Sequence, residues 1–137
     1  MTSDFPPRKA FGDDERDAID EVSTYYRYSD ADPGYNGIFQ DRFEEDLAKF
    51  YGKGEAAAVN SGTNALYIAL CALNLKEDRE VIVSPVTDSG TVHAILAANL
   101  VPVVADAAPG SYNTGLEQVR DCTTDKTAAV LLVHTAG

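Results

Sequence analysis

Glu80-Val81-Ile82-Val83-Ser84-Pro85, Val101-Pro102-Val103-Val104-Ala105-Asp106 and Ala128-Ala129-Val130-Leu131-Leu132-Val133-His134 are the stretches that decide the fold. Each is short and rich in β-branched residues. None shows the polar alternation of a strand with one wet face. Continuous apolar strands of this kind belong to parallel sheets covered on both sides. The stretches between them have helical spacing. Residues 90–98 place Val92, Ile95 and Leu96 on one face, and residues 115–122 carry Leu116 and Val119. Strands alternating with helices predict an α/β architecture, a mostly parallel sheet with helices on both faces.

Working back from this alternation, Ala65 to Leu73 is apolar over much of its circumference and predicts a buried helix, with Cys71 in the core. It follows Ala56-Ala57-Ala58-Val59 and the turn Asn60-Ser61-Gly62-Thr63. Phe43, Leu47 and Phe50 stand at i, i+4 and i+7 and predict an amphipathic helix, closed by Gly52 and Gly54. Before Phe39 the chain is broken by Pro6-Pro7, Gly12, Pro33-Gly34 and Asn36-Gly37. Asp13 to Tyr26 predicts one acidic helix with Ala18, Ile19 and Val22 on a common face. The rings of Tyr25-Tyr26-Arg27-Tyr28 have packing as their first reading and the mouth of a site as their second. The expected division is an irregular, partly helical segment over 1–38 and a regular α/β unit over 39–137. Working forward, the sequence stops at Thr135-Ala136-Gly137, directly after an apolar strand. A crossover fold expects a covering helix there, so the sheet is expected to be incomplete and finished by other polypeptide.

Composition bounds the function classes. The chain has 137 residues, 45% hydrophobic and 24% charged, as expected of a globular domain. Acids outnumber bases 22 to 11, and residues 1–50 alone carry 13 acids against 6 bases. A nucleic-acid binder shows a basic patch and a peripheral membrane protein a cationic face, and neither is present, so the acidic excess reads as a self-repelling, soluble surface. No apolar run reaches the length of a membrane span, and the N-terminus lacks the apolar core of a secretory signal. Two cysteines make no disulfide framework, so the expected compartment is the cytoplasm. Cys71, Cys122, His93 and His134 lack metal-ligand spacing. No Walker loop, dinucleotide glycine fingerprint or serine elbow occurs.

Ser61-Gly62-Thr63 is the sharpest local signal. It opens a helix, where unpaired backbone N–H groups and the positive end of the macrodipole favour an anion. Glycine admits close approach of an oxyanion, and the Thr63 hydroxyl adds a donor, so the turn reads as a phosphate cradle. The plainer reading is an N-cap by Ser61. His134, at the carboxyl end of a strand where α/β sites assemble, reads first as a structural hydrogen-bonder.

The succession F-E-E-D-L-A-K-F-Y-G (43–52), A-V-N-S-G-T-N-A-L-Y-I-A-L (58–70), E-V-I-V-S-P-V-T-D-S-G-T (80–91), V-P-V-V-A-D (101–106), S-Y-N (111–113) and K-T-A-A-V-L-L-V-H-T-A-G (126–137) resembles the DegT/DnrJ/EryC1/StrS aminotransferases. The resemblance implies that 39–137 is the N-terminal half of the large domain of a fold-type-I enzyme that uses pyridoxal 5'-phosphate, mostly to aminate keto-sugar nucleotides, and that the chain is one half of a split enzyme or a truncated product. It implies that Ser61, Gly62 and Thr63 bind the cofactor phosphate. It places Thr87 or Asp88 at the slot where the family normally sets an aromatic ring over the pyridine, and it makes Asp106 structural.

The Schiff-base lysine and the pyridine carboxylate of the family match positions beyond Gly137, and Lys9, Lys49, Lys53, Lys76 and Lys126 do not stand in that context. A chain of this kind is expected to be inactive alone. It would work in an oligomer with a complementary C-terminal half or an intact homologue. The alternatives are a non-catalytic half-domain that regulates such a homologue, and a small α/β domain that binds a phosphoryl ligand.

Overall fold

The computed structural model describes residues 11–33 and 36–135, and the breakers Pro6-Pro7 and Gly34 lie outside these. The chain divides into two compact units at Ala58/Val59.

The first unit holds two helices. Helix α1 spans Asp13–Tyr28. Its first turn carries Asp13, Asp14 and Glu15, which complement the positive end of the helix, and the Gly12 N–H donates to the Glu15 carboxylate at 2.6 Å. The helix runs through the aromatic segment and not only to Tyr26. Tyr25 and Tyr26 pack edge-on with centroids 5.1 Å apart, and Phe39 lies 5.5 Å from Tyr25 and 5.9 Å from Tyr26. Packing is therefore what these two rings do, whereas Tyr28 is exposed. Of the expected apolar face only Val22 is half-buried, while Ala18 and Ile19 are exposed.

Helix α2 spans Ile38–Phe50, and Gly52 and Gly54 follow it with φ of 86° and 101°, left-handed conformations that favour glycine. Arg42 of α2 pairs with Glu21 of α1 at 2.7 Å. Phe39, Gln40, Glu44 and Ala48 are half-buried, whereas Phe43, Leu47 and Phe50 are exposed. The Glu44 carboxylate accepts from the Ala58 N–H at 2.7 Å and from Gln40 at 2.9 Å.

The second unit is the α/β part. It runs α3 (Gly62–Ala72), β1 (Glu80–Val83), α4 (Ser89–Ala97), β2 (Val101–Val104), α5 (Leu116–Cys122) and β3 (Thr127–Leu131). The three strands are parallel in the order β2-β1-β3. The chain steps from β1 to β2 through α4, then returns across β1 to β3 through α5. Two right-handed crossovers in opposite directions place their helices on opposite faces. Accordingly Val81 and Val83 pack with Ala94 and Ile95 of α4, while Leu116 and Val119 of α5 border Val130 and Leu132. Asn74 and Asn99 follow the ends of α3 and α4 with φ of 49° and 56°, the left-handed stop that asparagine tolerates.

The strands end earlier than the sequence suggests. β2 stops at Val104 and β3 at Leu131, so Asp106 and His134 lie in the segments that follow. Only β1 has two strand neighbours and both faces covered, with Val81, Ile82 and Val83 all at 1% exposure or less. Val101, Val104 and Val130 on the flanking strands are exposed. Helix α3 likewise departs from the expected full burial. Leu70 is its one buried residue, Thr63, Leu66 and Tyr67 are half-buried, and Ile68, Cys71 and Leu73 are exposed. One neighbouring helix and a three-stranded sheet cover a single face of α3, which leaves Cys71 outside the core.

Two outcomes follow from this packing. Ile95→Ala should cost about 2–5 kcal/mol in urea unfolding, the range for emptying a filled core site, whereas Leu96→Ala on the exposed side of α4 should stay within about 0.5 kcal/mol. In the first unit, the Ala58 N–H and then Gln40 hold the Glu44 carboxyl below its ordinary value of 4.5. A depressed carboxylate stabilises the folded state fully above the unfolded value, and the contribution is lost as pH falls through the folded value. Protection of the Ala58 amide, taken against its intrinsic exchange rate at each pH, should therefore fall below about pH 4.5, and Glu44→Gln should flatten that dependence.

Candidate functional site

The site forms where two helices start side by side. Serine is a good N-cap because its hydroxyl reaches the third helical N–H, and Ser61 Oγ accepts from the Asn64 N–H at 3.2 Å. The Ser61 carbonyl accepts from the Ala65 N–H at 3.0 Å. Among the described residues, the N–H groups of Gly62 and Thr63 and the Thr63 hydroxyl have no hydrogen-bond partner. A Cβ added to Gly62 would meet nothing within 4 Å.

Helix α4 begins beside this turn. Asp88 is its N-cap, with a carboxylate oxygen accepting from the Gly90 N–H at 2.7 Å and its carbonyl from the Thr91 N–H at 3.1 Å. The Thr87 hydroxyl bonds that of Thr91 at 2.7 Å. Gly90 and Thr91 are buried. A Cβ on Gly90 would overlap Thr63 Oγ1 and come within 2.9 Å of the Asp88 carboxylate. Absence of a side chain at 90 is thus what lets α3 and α4 start in contact.

Gly62, Thr63, Ala65 and Leu66 of α3 face Asp88, Gly90 and Thr91 of α4 across a cavity of about 560 Å³. It lies on the carboxyl side of the sheet, since α4 follows the end of β1, and ligands of open α/β sheets bind there. The two helix ends are unequal as anion sites. The end of α4 is capped by a carboxylate that consumes the Gly90 N–H. The end of α3 is capped by a neutral hydroxyl that leaves two N–H groups free. An anion is favoured at α3. A cavity of about 420 Å³ in the first unit is lined by Asp41, Glu44, Glu45 and Glu55, whose charge repels a phosphate.

The structure therefore brings Gly62, Thr63 and Asp88 onto one cavity, sets Ser61 behind them as the cap, and ties Thr87 to Thr91. The sequence reading missed the part played by Gly90, whose signal is a glycine in the first turn of an otherwise apolar helix. It also missed Ser84 and Asn113. Ser84, at 2% exposure, accepts the Val133 N–H on its hydroxyl at 3.1 Å, and the Asn113 side chain bonds the backbone of Thr135. His134 and His93 are exposed, and the Asp106 carboxylate accepts from its neighbour Ala107 N–H at 2.7 Å. Among the described residues no group of His, Cys, Asp or Glu could hold a metal ion, and no helix is long and apolar enough to cross a membrane.

Residues 16–137 match the family model described as the DegT/DnrJ/EryC1/StrS aminotransferase family. The chain is 38% identical over 99 residues to dTDP-4-amino-4,6-dideoxy-D-glucose transaminase of Escherichia coli, covering 72% of this chain and 26% of that protein. It is 35% identical over 104 residues to dTDP-4-dehydro-2,6-dideoxy-D-glucose 3-dehydratase of Saccharopolyspora spinosa, covering 70% and 22%. Among solved structures, ntdA from Bacillus subtilis with bound cofactor PMP superposes with a TM-score of 0.81 at 28% identity, over 93% of this chain and 28% of that one. The chain thus spans about a quarter of the length of the relatives it matches.

The contact at Gly90 gives a direct check. Gly90→Ala should lower stability by about 1–3 kcal/mol, the usual cost of overpacking. Thr63→Ala in the same molecule should restore part of the loss, because the overlapping oxygen is then gone while Thr63 Cβ stands 3.4 Å away. Thermal melts of the three variants measure it.

Proposed function

Because the chain belongs to the DegT/DnrJ/EryC1/StrS aminotransferase family, we propose that it is the N-terminal part of a pyridoxal-phosphate enzyme acting on a keto-sugar nucleotide. In this reading Ser61, Gly62 and Thr63 form the turn that holds the cofactor phosphate. The observation that carries it is the pair of free N–H groups and the unpartnered Thr63 hydroxyl at the start of α3, facing a cavity. The cofactor in the ntdA structure and the dTDP-sugar chemistry named for the transaminase and the dehydratase support the same reading.

The residues present fit such a group. Space above Gly62 lets a phosphate oxygen reach backbone amides, which a Cβ there would obstruct. The Gly62 and Thr63 N–H groups and the Thr63 hydroxyl donate to it, and Ser61 keeps them aimed by capping the helix. Asp88 borders the same cavity and takes the ring side of the site, while Thr87 acts through its bond to Thr91. When bound, pyridoxal phosphate supplies an electron sink for the carbon that bears the reacting amine. Among the described residues no lysine lines the cavity. The proposal accordingly assigns the Schiff-base lysine and the pyridine carboxylate to polypeptide outside this chain, either a complementary half or an intact homologue in an oligomer. Whether a sugar is aminated or dehydrated is then decided by those outside groups, with this chain serving as the phosphate and wall element in either case.

The test is cofactor affinity of this chain assembled with the polypeptide that completes the site. Thr63→Ala should weaken pyridoxal-phosphate binding by about 1–3 kcal/mol, the scale of a hydrogen bond to a charged group. Gly62→Val should weaken it further by blocking the approach to the backbone. Equilibrium dialysis followed by absorbance reads both. Parental affinity in both variants would place the phosphate elsewhere.

A further inference from the structure

We propose that Asn113 and Thr135 are positioning residues that hold the β1–α4 loop, and through it Asp88, against the cavity. The proposal rests on the reading of that cavity as the cofactor site.

Asn113 sits in the loop between β2 and α5 with every polar group engaged. Its N–H donates to Ser111 Oγ at 2.9 Å, and its carbonyl accepts from the Ala108 N–H at 3.0 Å. Its side chain makes a two-bond clasp on the backbone of Thr135. Oδ1 accepts the Thr135 N–H at 2.8 Å, and Nδ2 donates to the Thr135 carbonyl at 3.2 Å. The reverse amide orientation would set donor against donor and acceptor against acceptor, so the clasp fixes the side chain in one sense. Thr135 passes the constraint on, because its hydroxyl donates to the Val86 carbonyl at 2.8 Å.

Val86 stands two residues before Asp88, the cap of α4 and part of the cavity wall. The segment from Ser84 to Asp88 belongs to neither strand nor helix. Its position is set instead by side-chain bonds to the segment after β3, from Thr135 to Val86 and from the Val133 N–H to the buried Ser84 hydroxyl. Three loops at the carboxyl ends of β1, β2 and β3 are thereby joined in one hydrogen-bonded chain, from Asn113 through Thr135 to Val86. Connected polar networks of this kind hold a site wall in place when each member is satisfied.

The experiment compares Asn113→Ala, Thr135→Val and Thr135→Ser in this chain assembled with the polypeptide that completes the site, by amide hydrogen exchange and by pyridoxal-phosphate titration. Thr135→Val is nearly isosteric and removes only the bond to Val86, whereas Thr135→Ser retains it. In Asn113→Ala and Thr135→Val, exchange at Ser89 to Thr91 should accelerate about tenfold, the factor equivalent to one hydrogen bond, with cofactor affinity falling by a similar factor. Val81 to Val83 should keep the parental exchange, and Thr135→Ser should match the parent. The double variant Asn113→Ala/Thr135→Val should do no more than the larger single change, since the two act in series. Unchanged exchange at Ser89 to Thr91, or equal acceleration in the β1 core, would overturn the proposal. If the parent takes up no pyridoxal phosphate, the cofactor reading fails, and the exchange pattern alone still decides the clasp.

Discussion

The coverage of β1 is the constraint on which the second unit depends. A parallel strand of Val81, Ile82 and Val83 has apolar side chains on both faces, so it needs cover on both. A single crossover supplies a helix to one face only. The chain meets the requirement by stepping to β2 through α4 and then reversing to β3 through α5, which leaves β1 in the centre. That reversal also creates the switch point at the carboxyl ends of β1 and β3, the place where α/β sheets open to ligands.

The cavity follows from the same geometry with one further condition. Helices α3 and α4 must start in contact for the amides of Gly62 and Thr63 to face the wall formed by Asp88 and Thr91. Gly90 satisfies that condition by having no side chain where Thr63 Oγ1 lies. Asp88 satisfies the end of α4 internally, and Ser61 leaves the end of α3 two free donors. The asymmetry between a charged and a neutral cap is therefore what leaves donors open at the start of α3 and engages them at the start of α4.

Apolar surface outside the β1 core is only partly covered within the described residues. Ile68 and Leu73 on and after α3, Val101 and Val104 on β2, and Val130 and Leu132 on and after β3 are exposed. Phe43, Phe50 and Tyr51 in the first unit are exposed as well. The relatives are about four times the length of the matched region.

Strand and helix identities, their order, and the Ser61 cap of α3 were legible in the sequence because they depend on local pattern: β-branched runs, helical spacing, and a serine and a glycine at a helix start. The resemblance carried by the ordered blocks from Phe43 to Gly137 identified the family for the same reason, since block order and spacing are one-dimensional. Burial was not legible. An apolar α3 reads as buried all round, yet Cys71 and Ile68 are exposed, because burial depends on which neighbours exist and not on the helix's own composition. Strand ends were also misread, with β3 stopping at Leu131, because apolar residues continue beyond the last ladder bond. Only the tertiary structure decided that Gly90 touches Thr63, 27 positions away, and that Asn113 holds Thr135, 22 positions away. Contacts between residues so far apart leave no periodic trace in the sequence; they exist only once the crossovers have brought the loops to one edge of the sheet.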